Sequence, residues 1–417
     1  MTKPFFFLFL LFFSISSYAQ WERYGGVYAA YPAPDNIVAT PAPKGYHPFY
    51  ISMFARHGSR WLPDERRYDA IDSVFADTSN LTALGKDVRQ RLLRIHDDAR
   101  GRAGELTAVG ERQHRGLAER MVGQWGEVFA GGGVVEARSS TVNRCAMSMT
   151  AFLVRLAQLR PALDISAATG KRYMRYIAYV SPEEQALEDS VRDECTMNPR
   201  RLMRSLFRNP DRVAHWNDIA QELHTIASDT QDTGTGISLY DIFTEDEMRQ
   251  IYDMNNRRMQ LCNGINPLNN GTPQRCAASL WRDIVDKADR AIAEYRHRVA
   301  SEPSSDCSSE SPSACPSAPS SVCPRHVADL RFGHDTSLYR LLSLLGLFAS
   351  DRCMDVIIPM AANLQLVFFT NAGNDVIVKL MHNEREIALP QLEKSRGKEY
   401  SLPWPYYRWS DVKAINL

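Results

Sequence analysis

The sequence has no surplus of either charge, with 49 Lys and Arg against 49 Asp and Glu over 417 residues. A neutral chain lacks the basic field that draws proteins to nucleic acid, so no nucleic-acid partner is expected. Any anion site must then come from local clustering of arginines. No Cys-x-x-Cys pair occurs, which disfavours zinc. No internal repeat is visible, which argues against a solenoid. Beyond the N-terminus no apolar run approaches the roughly 20 residues that a spanning helix needs, so the mature chain is expected to have no membrane span.

What is present begins with a leader. Lys3 is followed by an apolar run from Phe5 to Phe13, and Ser17-Tyr18-Ala19 offers a small-x-small cleavage point. Residues 1–19 therefore read as a signal peptide, and the mature protein is expected to be secreted or periplasmic. All eight cysteines (145, 195, 262, 276, 307, 315, 323 and 353) follow that point. An even count in an exported chain favours disulfides, with Cys262 and Cys276 the pair suggested by proximity. The remainder is of ordinary globular composition, 44% hydrophobic and 24% charged, and long enough to bury a large core.

Strand character is expected at Phe49–Phe54, Val134–Ala137, Val327–Phe332, Asn363–Phe369 and Val376–Met381. Asn371-Ala-Gly373 marks a hairpin between the last two. Helices are predicted over 107–125 with Thr107 as N-cap, over about 141–159, and over 278–298. Ser181-Pro182-Glu183-Glu184 reads as an N-cap, a first-turn proline and a capping-box glutamate. Strands at both ends with a helical middle predict an α/β fold: a mixed sheet flanked by helices, carrying a mainly helical insertion. The expected division is a discontinuous α/β domain over 20–180 and 324–417, a helical insertion over 181–300, and a Ser/Pro/Cys-rich loop over 301–323.

Three clusters carry chemistry. Arg56-His57-Gly58-Ser59-Arg60 follows the first strand directly. Two guanidinium forks flanking an imidazole can converge on one small anion, and Gly58 permits close approach. An uncharged His57 in that setting can attack phosphorus while the arginines stabilise the equatorial oxygens. The same run can also be a basic surface turn. Arg331-Phe-Gly-His334-Asp335-Thr336 again follows a strand. Asp335 there is suited both to N-capping the apolar helix behind it and to protonating a leaving alcohol, with His334 donating to a phosphate oxygen. In Arg138-Ser-Ser-Thr-Val-Asn-Arg144-Cys145 a strand passes into a helix, with Arg144 in the first turn where anions are favoured. Arg66, Arg67, Lys171, Arg172 and Arg175 are candidates for contacting further phosphates, although a solvated basic face accounts for most such residues.

In that order, these clusters resemble the fingerprint of the histidine acid phosphatases, branch two of the histidine phosphatase superfamily. Leu106-Thr107-Ala-Val-Gly110-Glu-Arg-Gln113 also looks like that family's Leu-Thr-x-x-Gly-x-x-Gln helix start. The approach Tyr46-His-Pro-Phe-Tyr-Ile-Ser52 is similar to bacterial members of the multiple inositol polyphosphate phosphatase branch. The resemblance implies the histidine phosphatase fold and a two-step reaction without cofactor or metal. His57 would be the nucleophile and Asp335 the proton donor, with Arg56, Arg60, Arg144 and His334 holding the phosphoryl group. Two departures stand out. That branch carries His-Ala-Glu where this chain has His334-Asp335-Thr336, and the proline after the first motif arrives one residue late, as Pro63. The expected substrate is a small-molecule phosphate ester, inositol polyphosphates such as phytate first. A broad acid or sugar phosphatase, a catalytically silent phosphate-binding protein and a metal-dependent hydrolase are the alternatives.

Overall fold

The central strands of the sheet assemble because their residues are apolar on both faces and must be covered on both. The computed structural model describes residues 22–191, 197–301, 325–347, 358–394 and 402–415. The expected signal peptide, the 302–323 part of the Ser/Pro/Cys-rich stretch, and Cys195, Cys307, Cys315, Cys323 and Cys353 lie outside them. The strands are β1 His47–Arg56, β2 Gly133–Ser139, β3 Leu163–Thr169, β4 His326–Gly333, β5 Asn363–Thr370, β6 Val376–His382, β7 Arg385–Glu386 and β8 Tyr406–Arg408. They form one mixed sheet in the order β3-β2-β4-β1-β5-β6-β7, with β8 pairing off β6. β1 runs parallel to β4 and antiparallel to β5, while β2 is parallel to both β3 and β4. This is the α/β fold class expected.

Helices cover both sheet faces. Lys171–Ile177, Thr272–Ser301, Asp335–Leu344 and Trp409–Lys413 contribute to a core with Tyr50, Phe54, Leu364 and Phe368. Ala108–Gln124 and Asn143–Leu159 bury Leu117, Met121, Phe152 and Leu156 against Ile51, Val135 and Leu330 on the opposite face. A third apolar cluster lies among helices alone, joining Tyr68, Leu92, Leu206, Leu223 and Ile251. Among the described residues no helix is long and apolar enough to cross a membrane.

Several local expectations are met and several are adjusted. Thr107 caps its helix, its hydroxyl accepting from Gly110 N. The β5–β6 hairpin forms, but the left-handed residue is Asn374 (φ 59°) rather than Gly373. Ser181 caps Pro182–Ser190, yet Glu184 does not close a capping box; it is drawn instead into an ion pair with Arg340. The expected Cys262–Cys276 disulfide is not formed. Cys276 carries a buried free thiol whose pKa is raised by burial and by neighbouring Glu184, at the start of that same helix.

The core holds uncharged histidines. Burial pushes His114 down to about 3 and His224 and His382 down to about 4. An unfolded histidine takes up its proton near pH 6.5, so each of these supports the fold fully above that pH and withdraws support as pH falls toward its folded value. Unfolding free energy is expected to drop as pH falls from about 6.5 to 4, by up to about 1.4 kcal/mol per histidine per pH unit, with thermal midpoints falling accordingly. Phenylalanine at His224 should flatten that slope, measured by calorimetric unfolding across the range.

Candidate active site

The site lies beyond the carboxyl ends of β1, β2 and β4, where parallel strands leave their last groups open. β1 delivers Arg56, and the main chain of His57 is pinned between sheet neighbours. His57 N donates to Gly333 O at 2.9 Å, and its carbonyl accepts from Ala361 N at 2.8 Å. The turn that follows is gripped by the helix Ala108–Gln124. Thr107 N donates to Ser59 O, Ser59 N donates to the Gln113 side-chain oxygen at 2.9 Å, and Gln113 Nε2 donates to Ser59 Oγ at 2.8 Å. Gly58 and Gly110 meet back to back; a Cβ on Gly58 would come within 2.6 Å of Gly110 O. The Leu-Thr-x-x-Gly-x-x-Gln run is therefore the clamp of the Arg-His-Gly-Ser-Arg turn.

The structure brings all six predicted residues together. His57 Nδ1 lies 2.9 Å from Gly58 O. A carbonyl only accepts, so Nδ1 carries the hydrogen and Nε2 keeps its lone pair. Burial, followed by the positive charges of Arg56, Arg144 and Arg60, holds His57 well below its ordinary pKa, so the ring is uncharged. The His334 ring stands edge-on to it with centroids 5.7 Å apart. His334 Nε2 is 3.1 Å from Ser140 Oγ, and burial lowers His334 to about 4.

Arg56 is 1% exposed; its Nη1 donates to Ile358 O at 2.9 Å and to Val27 O. Its Nη2 pairs with Asp335 Oδ2 at 3.1 Å. Arg60 pairs with Asp229 at 2.8 Å and lies over the ring of Tyr28. Arg144 sits in the first turn of Asn143–Leu159 and packs on Gly104. The Nε groups of Arg56, Arg60 and Arg144 are buried with no hydrogen-bond partner among the described residues. Asp335 is the first residue of its helix, not the cap as expected; His334 holds the N-cap position. Burial would raise the Asp335 carboxyl, but Arg56, His334 and the Thr336 N–H together hold it below the usual range.

The additional basic candidates divide. Arg66 is exposed and spent on Asp64. Arg67 reaches inward, to Tyr28 OH at 3.3 Å and Glu222 at 2.8 Å. Lys171, Arg172 and Arg175 are exposed, but their helix borders the site through Met174 Sδ, 3.4 Å from Thr141 N. Sequence reasoning did not single out Tyr28, Ser140, Asp229, Asp232 or Ser148, whose hydroxyl accepts from Gly58 N at 3.0 Å. None of them left a signal; the two acids, three apart on a helix, read as a solvated face.

This sheet order is the fold of the histidine acid phosphatases, shared with solved structures over nearly the whole chain. Among solved structures, the Bifidobacterium longum multiple inositol polyphosphate phosphatase in complex with inositol hexasulfate matches at a TM-score of 0.70 and 17% identity, over 95% of this chain and 97% of that chain. Its phosphate complex matches at 0.69 and 18%, over 94% and 97%. The D. castellii phytase matches at 0.63 and 13%, over 95% of this chain and 85% of its own. No protein-family model matches the sequence, and no curated protein does.

Proposed function

We propose that the protein is a secreted phosphomonoesterase that works through a phosphohistidine on His57, with inositol polyphosphates such as phytate as favoured substrates. The observation that carries this reading is the uncharged, Nδ1-anchored His57 among three guanidinium groups whose buried Nε donors lack partners among the described residues. Such donors are costly to leave unsatisfied, and a phosphoryl group supplies acceptors for all of them. The leader favours export.

In the first step His57 Nε2 attacks phosphorus and the P–O bond to the leaving alcohol breaks. Asp335 gives its proton to the departing oxygen. Arg56, Arg60, Arg144 and His334 hold the equatorial oxygens, where charge spreads in the transition state. The Gly58 carbonyl accepts the Nδ1 hydrogen throughout, which stabilises the phosphorylated ring. In the second step water attacks phosphorus, Asp335 takes one of its protons, the N–P bond breaks and phosphate leaves. Nothing in this sequence draws on a metal or cofactor.

The polyphosphate preference is supported by the neighbour that binds inositol hexasulfate and by exposed Lys171, Arg172 and Arg175 on a helix that borders the site. Hydrolysis of phytate, p-nitrophenyl phosphate and glucose-1-phosphate by the full chain tests it. We expect kcat/KM for phytate to exceed that for glucose-1-phosphate by about 10-fold or more, the worth of one additional charge-assisted contact. Equal values would leave a broad-specificity phosphatase.

A further inference from the structure

The helix Trp216–Thr233 presents two acids to the nucleophile turn from outside the fingerprint. Asp229 and Asp232 are three residues apart and 2% and 0% exposed. Asp229 Oδ1 accepts from Arg60 at 2.8 Å, and Asp232 Oδ1 accepts from Ser59 Oγ at 2.5 Å. The Asp232 carbonyl accepts from Thr107 Oγ1 at 2.7 Å, tying the same helix to the clamp. The second oxygen of each carboxyl, Oδ2, is buried with no hydrogen-bond partner among the described residues. Two buried carboxyls one helical turn apart cannot both be ionised cheaply.

The groups facing this pair are few. Arg60 and Arg56 approach from the nucleophile turn, and Arg67 and Tyr68 from the helix Arg66–Val74. Tyr28 lies on the far side of Arg60 and Tyr240 lies near Asp232, while Glu222 on the same helix is bound to Arg67. Burial raises both acids, Asp229 against the pull of Arg60 and Arg67, and Asp232 well above the ordinary range with the Asp229 charge adding to it.

We infer that Asp229 and Asp232 are positioning residues sharing one proton: ionised Asp229 aims Arg60, neutral Asp232 holds Ser59, and their proton sets the charge of the phosphate cradle. The inference rests on the phosphatase reading only in taking the cradle as an anion site. Loss of the shared proton would add one negative charge directly behind Arg60 and weaken anion binding. By linkage, a bound anion strengthens the pair's hold on that proton, so binding draws a proton from solution.

Inorganic sulfate is the probe, because its charge is constant over the range and its binding needs no turnover. Calorimetry of sulfate binding to the full chain, in buffers of different ionisation enthalpy between about pH 6 and 9, reads the proton uptake. The parent is expected to take up a fraction of a proton and to lose about 10-fold in affinity as the pair deprotonates. Asp232→Asn, which fixes the pair at one charge, should remove the pair's share of both effects. His57, His334 and Asp335 also face the anion but titrate below this range in the free protein and are common to both proteins, so the difference between parent and variant reads the pair. A parent that takes up no proton or binds no sulfate, or a folded Asp232→Asn protein that matches the parent, overturns the inference; should that variant fail to fold, the parent measurement decides alone. A chain that binds sulfate in this way yet releases no phosphate would fail the catalytic reading only.

Discussion

Replacing His57 with alanine is expected to lower phosphate release by at least about 10³-fold, because the variant has no atom on which to carry the phosphoryl group. The effect should be chemical rather than structural. The position of this residue is set by its main chain, through Gly333 O and Ala361 N, while its ring makes one hydrogen bond, to Gly58 O. Removing the ring should cost about 1–3 kcal/mol of stability, leaving a folded protein for comparison. Acid-labile, alkali-stable phosphate should be recovered from the parent after rapid denaturation with substrate and be absent from the variant. Equal phosphate release by variant and parent from acidic to neutral pH would remove His57 from the chemistry. Arginine alone cannot substitute: Arg56, Arg60 and Arg144 remain in the variant and still bind the ester, so KM should move far less than kcat.

How much of this was legible in the sequence follows from where each signal is stored. β1, β4, β5 and β6 are buried nearly throughout and read as short apolar runs, so their existence was plain. β3 lies at the sheet edge with Leu163 and Ile165 only half-buried among exposed neighbours, and its pattern is too diluted to stand out. β7 and β8 are two and three residues long and exist only because β6 offers them a partner. The six site residues were recoverable because they sit at strand ends inside compact local motifs. Asp229 and Asp232 were not, since acids three apart on a helix ordinarily mark a solvated face. What makes them unusual is tertiary: their face turns inward onto Ser59 and Arg60, some 170 residues away. The Cys262–Cys276 pairing failed for a related reason. Proximity in sequence placed Cys262 near Cys276, but the fold sets the Cys276 thiol beside Ser181 and Glu184 instead.

The second large effect is expected at Asp335, and it should depend on the leaving group. Asparagine preserves the acceptor that takes the Thr336 N–H at 2.9 Å and keeps the start of the helix intact, but it cannot give up a proton. An alkoxide departs poorly without one, so Asp335→Asn should reduce kcat on phytate or glycerol phosphate by about 10²–10⁴-fold. p-Nitrophenolate is stable unprotonated, and release from its ester should fall by less than about 10-fold. A variant that slows both esters equally would place Asp335 in binding or positioning instead. The pH dependence follows from the same carboxyl. In the free protein Arg56, at 3.1 Å, helps to hold Asp335 below the usual range, so the carboxyl is ionised except in strong acid. A bound phosphoryl group occupies Arg56 and brings negative charge beside the carboxyl, and both changes raise its pKa. The productive complex therefore contains one proton shared between ester and Asp335, whichever of them carries it into the site. That proton is lost once the ester's second ionisation, near about pH 6, is passed, so kcat/KM should fall by about 10-fold per unit above it. On p-nitrophenyl phosphate the Asp335→Asn protein should lose much of this fall, because its remaining reaction no longer requires the proton.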